Sequence, residues 1–550
     1  MENEIPLGER SALYRAFEML PAAVSFTLVG LVVVLPFFSV RVAAWYVLSI
    51  VAIMLARAVR SAIDLTRGYR RLQAAAEVDW NRRLVELERP LDTVMKGRRT
   101  SGGFEAHRHE ANLERLAMAS RTPLRPSEVL NAVIVAAYNE PYEVIAPTIR
   151  SLANTSYNRS QLAIFFAYEE RGGAAIERTA HRLEAEFGHL FRAFELVRHA
   201  RDLPDEIAGK GANITCAGRA LARWVEVEGV DPSTVLVTTL DCDNKPHRDY
   251  FSCASYYFLV DEDRKRASYQ PISMFLNNIW DAPAPTRVVA SGNTFWNLTS
   301  SVRPLTLRNF ASHSQPLDAL IEMNFWSKRT IVEDGHQYWR SFFHFRGRYR
   351  VVGVPVPIYQ DAVLADTYAN TLIAQFKQLS RWSYGASDVP YVAVRVFGTN
   401  RPAPFWAGFW RLLSLLEGHV TLASLSLIVA VGGWMPLALA AQQARADEFV
   451  RDLPILVGTT QQIAMLGLIL SIVLAWRMLP ERPSRYGPIR NLGMLLQWLL
   501  FPLTIIGYNA VTALYSQSRL LVGSYRERFD VTVKSALPHE PRLQESHAAA

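Results

Sequence analysis

Val235-Leu-Val-Thr-Thr-Leu-Asp-Cys-Asp243 is the stretch that decides the fold. Its first six residues carry no charge, and the two valines and two threonines among them suit a buried, pleated backbone. The run stops on Asp241 and Asp243, spaced i, i+2, which on an extended backbone point the same way. Two acids outside the carboxyl edge of a sheet can hold a divalent cation and a diphosphate. A second acid pair, Asp261-Glu-Asp263, sits inside the charge run Asp-Glu-Asp-Arg-Lys-Arg and reads as a solvated face. Only context separates the two.

Outward from this strand, short β-branched runs alternate with longer helical segments. Residues 132–137, 162–167 and 234–240 read as strands. Strand, helix, strand alternation predicts an α/β domain with a mainly parallel sheet covered on both faces, over residues 131–400. Residues 61–130 are charged and helix-prone, a linker punctuated by Gly-Gly and prolines between 101 and 126.

Both flanks are apolar. Residues 21–40 carry no charge and residues 42–56 form a second apolar stretch after Arg41, so residues 1–60 read as a transmembrane hairpin. No small-x-small cleavage site follows, which argues against a signal peptide. Arg57, Arg60, Arg67, Arg70 and Arg71 then place the following domain in the cytoplasm. Residues 401–419 mix Phe405, Trp406, Phe409 and Trp410 with Arg401, Arg411 and Glu417, as an interfacial amphipathic helix does. Residues 420–444, 454–476 and 491–518 are each long enough to cross a bilayer, with Pro502, Gly507 and Asn509 interrupting the last. Three crossings put the 519–550 tail outside, whereas Arg519, Arg526, Arg528 and Lys534 argue for the cytoplasm, so the parity stays open.

Composition agrees. Half of the 550 residues are hydrophobic, more than a purely soluble chain of this length needs. The net charge of +8 gathers beside apolar segments, which favours a membrane over nucleic acid. Cys216, Cys242 and Cys253 show no metal-ligand spacing and no disulfide framework, and read as reduced cytosolic thiols.

Several stretches can carry chemistry, and each alone has an ordinary structural reading. Ala136-Ala-Tyr-Asn-Glu-Pro141 is a turn at a strand's carboxyl end, where polar side chains meet a base and ribose. Glu169-Glu170-Arg171 ends a second strand. Gly209-Lys-Gly-Ala-Asn213 opens a helix with Lys210 placed for a diphosphate, but lacks the P-loop spacing. Glu333 and Asp334 follow a β-branched pair and supply a general base if burial raises a carboxyl's pKa, or simply start a helix. Gln378, Arg381 and Trp382 share one helix face, suited to a sugar ring and phosphate oxygens or to plain packing.

In order and spacing, these motifs resemble the family 2 glycosyltransferases of the cellulose, chitin and hyaluronan synthase type, which read D, DxD, (T/E)D, QxxRW. The resemblance covers residues 131–400 and implies a GT-A-like domain inserted between transmembrane helices. It implies that Tyr138, Asn139 and Glu140, with Glu169, line the nucleotide pocket and that Lys210 approaches the diphosphate. Asp241 and Asp243 would hold a nucleotide-diphosphate sugar, UDP-linked in this family, through Mg²⁺ or Mn²⁺, with Asp243 the principal metal ligand. Asp334, with Glu333 beside it, would deprotonate the acceptor hydroxyl, and Gln378, Arg381 and Trp382 would bind acceptor sugar and phosphates. Three departures stand out: Glu169-Glu170 where the family carries aspartate, Val332 for threonine, and Leu379 for arginine. The tail is too short for a PilZ domain, so no cyclic-di-GMP control is expected.

The resulting expectation is an inverting transferase in the inner (plasma) membrane that extends a growing polysaccharide. Single transfer to a lipid-linked or short glycan acceptor is the alternative, and a non-catalytic transporter or scaffold a third reading. Gln270, Pro271, Trp280, Trp296 and Trp326 either shape the acceptor side or belong to the core.

Overall fold

The computed structural model describes residues 4–95, 101–120 and 123–526. Eight strands build one sheet: β1 Leu130–Ala137, β2 Leu162–Glu169, β3 Ala193–His199, β4 Val235–Asp241, β5 Lys245–Pro246, β6 Ala267–Met274, β7 His313–Pro316 and β8 Arg350–Tyr359. Their order is β3-β2-β1-β4-β7-β6-β8-β5. β1, β2 and β4 are the three strands expected from the β-branched runs. Nearly every residue in them is buried, because helices cover both faces of the sheet.

The sheet is more mixed than a mainly parallel one. β3, β2, β1 and β4 run parallel, but β7 pairs antiparallel with β4 and β6, and β5 antiparallel with β8. β7 is the four polar-rich residues His313-Ser-Gln-Pro316, which carry no hydrophobic pattern to read. Buried bonds fix it instead: Ser314 Oγ lies 2.7 Å from Thr238 Oγ1 of β4 and 2.8 Å from Tyr250 Oη. In β6, Pro271 has no N–H for the ladder, and the pairing with β8 shifts register between Gln270 and Ile272.

The chain runs β1, β2, β3 in one direction and returns to place β4 on the other side of β1. Ala136 and Asp241 are register partners at the carboxyl ends of β1 and β4. That reversal opens a crevice, the usual ligand position in an open α/β sheet.

Five helices are long and apolar enough to cross a membrane: Ala12–Phe38, Val40–Ala76, Phe405–Val431, Leu453–Met478 and the helical path Ile489–Val522. The α/β domain lies between the first two and the last three. Val40–Ala76 continues well past the apolar stretch that starts it, and its second half packs on the helix Ala284–Ser301: a Cβ on Gly68 would come 2.4 Å from the Leu298 carbonyl oxygen. Phe405–Val431 is one helix, so the aromatic interfacial segment and the crossing after it form a single element.

The last helical path is continuous, passing through a π-helical stretch at Ile505–Ala510. Both its ends are tied to the α/β side. Near its start Arg490 donates to the Trp280 carbonyl and Gln497 accepts from Arg287. Near its end Ser516 donates to the Ser380 carbonyl at 2.6 Å, and the carbonyls of Leu520 and Leu521 accept from Arg15, in the first turn of Ala12–Phe38. This path therefore makes polar contacts with the rest of the chain near both of its ends. Of the tail's basic residues, Arg528 and Lys534 lie outside the described residues.

Candidate active site

Asp241 is the last residue of β4, and Asp243 sits in the turn after it, with Cys242 between them turned into the core at 1 % exposure. Both acids line one cavity of 2320 Å³. The other pair, Asp261 and Asp263, lies elsewhere and is structural. Asp261 is not solvated: its carboxylate pairs with Arg350 and accepts from Tyr269 Oη at 3.3 Å.

Lys210 starts the helix Lys210–Val227. Its Nζ lies 2.7 Å from Asp241 Oδ1 and 3.9 Å from Glu333 Oε1. Burial opposes the charge, but Asp241, Glu333 and Asp334 together raise the ammonium above its ordinary range. The helix start is locked in place by Asn213, which donates to the carbonyls of Ala137 and Ala167 at the ends of β1 and β2. Gly211 is required: a Cβ there would come 2.3 Å from the Ser327 carbonyl oxygen and 3.1 Å from Glu333 Cβ. That close approach brings the lysine and the acid pair together.

Glu333 and Asp334 open the helix Glu333–His344, where the helix dipole favours carboxylates. Burial first, and the neighbouring Asp334 next, push the Glu333 carboxyl up to about 8 in spite of Lys210. Asp334 differs: its Oδ2 accepts from Ala311 N at 2.6 Å and its Oδ1 from its neighbour Gly335 N at 2.8 Å. Ala311 holds a left-handed backbone, φ +49°, costly for a residue with a Cβ.

Tyr138 and Glu140 line the cavity at the end of β1, and Glu140 Oε2 accepts from Tyr138 N at 2.7 Å. Asn139 is exposed and does not line it. Glu169, 3 % exposed, lines the same end and is pinned by Arg171 at 3.0 Å and His199 Nδ1 at 3.0 Å. Glu170 points elsewhere, to Arg198. Gln378, Arg381 and Trp382, on the helix Tyr368–Ser383, all line the cavity, with the Trp382 ring 6.0 Å from Phe275. Of the other aromatics, Trp296 lines it too, whereas Trp280 and Trp326 are buried in core clusters.

Local patterns did not reveal a charged relay behind the site. His199 Nε2 lies 3.0 Å from Glu206, and Glu206 accepts from Lys328 Nζ at 2.6 Å. Burial opposes a charge on His199, but hydrogen bonds and proximity to Glu169 and Glu206 push its pKa up to about 9. The relay joins the end of β2, the loop before Lys210 and the loop before Glu333. His199 is the carboxyl-terminal residue of β3, and reading Ala193–His199 as a strand is the signal that would have exposed it. Arg308 is a second omission, lining the cavity with its guanidinium 4.6 Å from the Trp339 ring centroid.

Among the described residues no group of three or more His, Cys, Asp or Glu side chains forms a metal cluster. Asp241 and Asp243 offer hard oxygen ligands on one wall. That fits an ion of the Mg²⁺ or Mn²⁺ type, which takes one or two carboxylates and completes its shell with substrate phosphates and water.

No family model and no curated protein matches the chain. Among solved structures, it is similar to the mannosyltransferase PcManGT from Pyrobaculum calidifontis in complex with GDP-Man and Mn²⁺, at 16 % identity and a TM-score of 0.37, over 70 % of this chain and 87 % of that one. It is similar to S. aureus TarS at 10 % identity and a TM-score of 0.32, over 63 % of this chain and 55 % of that one. The 1-349 portion of TarS in complex with UDP-GlcNAc gives 11 % identity and a TM-score of 0.34, over 64 % of this chain and 93 % of that one.

Proposed function

We propose that the protein is a membrane-embedded, inverting glycosyltransferase that moves a sugar from a nucleotide-diphosphate donor to an acceptor entering from the membrane side. The observation that carries this reading is convergence: Asp241, Asp243, Lys210, Glu333, Asp334 and the Gln378, Arg381, Trp382 face line one cavity that continues between the apolar helices.

Tyr138 and Glu169 receive the nucleoside, and Lys210 with Arg381 meets the diphosphate. Asp241 and Asp243 would hold a divalent ion, which when bound would supply positive charge for the leaving diphosphate. Asp334 takes the proton from the acceptor hydroxyl as its oxygen attacks the anomeric carbon. The new C–O bond forms as the bond to the diphosphate oxygen breaks, and the nucleoside diphosphate leaves with the electron pair. Glu333, neutral below about pH 8, keeps a second negative charge away from that step. A growing polysaccharide and a lipid-borne sugar both present such a hydroxyl. UDP is the donor nucleotide that the sequence resemblance suggests.

In this reading four helices cross the membrane and Ile489–Val522 lies along its cytoplasmic side. Arg519 and Arg526 then fall on the cytoplasmic side, as basic flanking residues do. A donor screen that follows nucleoside diphosphate release from membranes tests the proposal. Metal-dependent release with at least one nucleotide sugar is expected, and no release with any donor would remove it.

A further inference from the structure

The membrane half of the cavity has a lining that suits a chain of hydrocarbon better than a chain of sugar. Met465, Leu468, Ile469 and Ile472 of Leu453–Met478 face it from one side, and Leu495 and Leu499 of the last helical path from another. Met465 and Ile469 are 56 % and 57 % exposed on a helix long and apolar enough to cross a membrane, so an apolar stretch of the lining is open to the surroundings.

The cavity also ends inside the bundle. No lining residue precedes Met54 on Val40–Ala76, follows Ala430 on Phe405–Val431 or precedes Gln461 on Leu453–Met478. There Gln461 Nε2 donates to the Val429 carbonyl at 3.0 Å, joining the two helices. Beyond it Gly433 faces Val457, a Cβ there lying 3.3 Å from Val457 Cβ. The part of Val40–Ala76 before Met54 adds ~20 Å of helix past the closed end.

Where the apolar section meets the catalytic section, cations outnumber anions. Arg57, Arg60 and Arg303 line the wall. Asp64 serves Arg303 at 2.7 Å and Arg60 at 3.7 Å, and Glu417 serves Arg57. Arg57 lies close enough to Arg60 and Arg303 to be repelled by both.

Resting on the transferase reading above, we infer that the acceptor is a sugar carried on a long-chain lipid phosphate. The chain lies against Met465, Leu468, Ile469 and Leu499, the phosphate sits at Arg57, Arg60 and Arg303, and the sugar hydroxyl reaches Asp334. The carboxylate base gives the direction. An ionised phosphate has no proton to surrender, so the attacking atom is a sugar hydroxyl and the phosphate is the anchor.

The test uses full-length protein in nanodiscs with the donor found by the release screen, offered polyprenyl-diphosphate-linked N-acetylglucosamine or free chitobiose. Label is expected in the organic extract with the lipid probe, at least tenfold above transfer to the free sugar. Leu468→Trp, which fills the groove, and the double variant Arg57→Gln with Arg303→Gln should each cut lipid transfer at least tenfold. Native mass spectrometry supplies a readout apart from chemistry: the wild type should retain the lipid probe and Leu468→Trp should lose it. Label that appears only on free chitobiose or in a water-soluble polymer, or a wild type that retains no lipid, overturns the lipid acceptor and leaves sugar transfer standing. Retained lipid with no nucleotide release from any donor overturns the transfer reading, and the acceptor role with it.

Discussion

Lys210 Nζ lies 2.7 Å from Asp241 Oδ1, so the first residue of one helix and the last residue of the central strand neutralise each other at the mouth of the crevice. A diphosphate bound there offers the lysine oxygens of higher charge. Lys210→Gln should weaken nucleoside diphosphate binding by about 1.5–3 kcal/mol, the worth of a hydrogen bond to a charged group. Calorimetry showing unchanged affinity would contradict the assignment.

Glu333 and Asp334 are adjacent but not equivalent. Asp334→Asn should lower turnover by roughly 10²–10⁴-fold, the span of a positioned general base, while donor binding persists. Glu333→Gln mimics the neutral carboxyl and should cost much less. The two variants side by side in a single-turnover assay decide which acid is the base; equal losses would deny the distinction.

The Glu333 carboxyl also sets a pH signature. Its folded pKa, about 8, is above that of an unfolded glutamic acid, so the native state binds more protons between the two values. Its contribution to stability is present below the unfolded pKa and is lost as pH rises through about 8. Melting temperature should fall across that window in the wild type and fall less in Glu333→Gln. Parallel curves would argue against a buried neutral carboxyl.

Much of this site was legible before the fold was known. Asp241 and Asp243 end a run too apolar and β-branched for anything but a buried strand, and Gln378, Arg381 and Trp382 share a helical face by spacing alone. His199 was not legible because Ala193–His199 is a half-exposed edge strand, and its partners Glu169 and Glu206 come from other elements. Asn139 shows the reverse: next to Tyr138 in sequence, it turns out to solvent because the chain bends after β1. β7 escaped notice because buried hydroxyl bonds, not a hydrophobic pattern, hold it.

His199, held between Glu169 and Glu206, should act as a positioning residue for the nucleoside end. Its folded pKa of about 9 exceeds the unfolded value, so the support it gives is full below that unfolded value and lost as pH rises through about 9. His199→Gln should raise the donor KM several-fold with little change in kcat, and should flatten the alkaline rise in donor KM expected of the wild type. A loss confined to kcat would place the residue elsewhere in the mechanism.

Asp243→Ala tests the ion. Removing a direct ligand should lower metal affinity by more than ~100-fold, the upper end of what outer-shell changes cost. Nucleotide binding in the variant should then no longer respond to chelator, whereas wild-type binding should. An unchanged chelator response would take Asp243 out of the metal shell.

The most direct measurement is the anomeric configuration of the product. With an α-linked nucleotide sugar and a divalent metal, in-line attack assisted by Asp334 predicts a β-linked product, read by the proton coupling of the new anomeric centre, and one nucleoside diphosphate per bond formed. An α-linked product, or bond formation by Asp334→Asn at the wild-type rate, would contradict it.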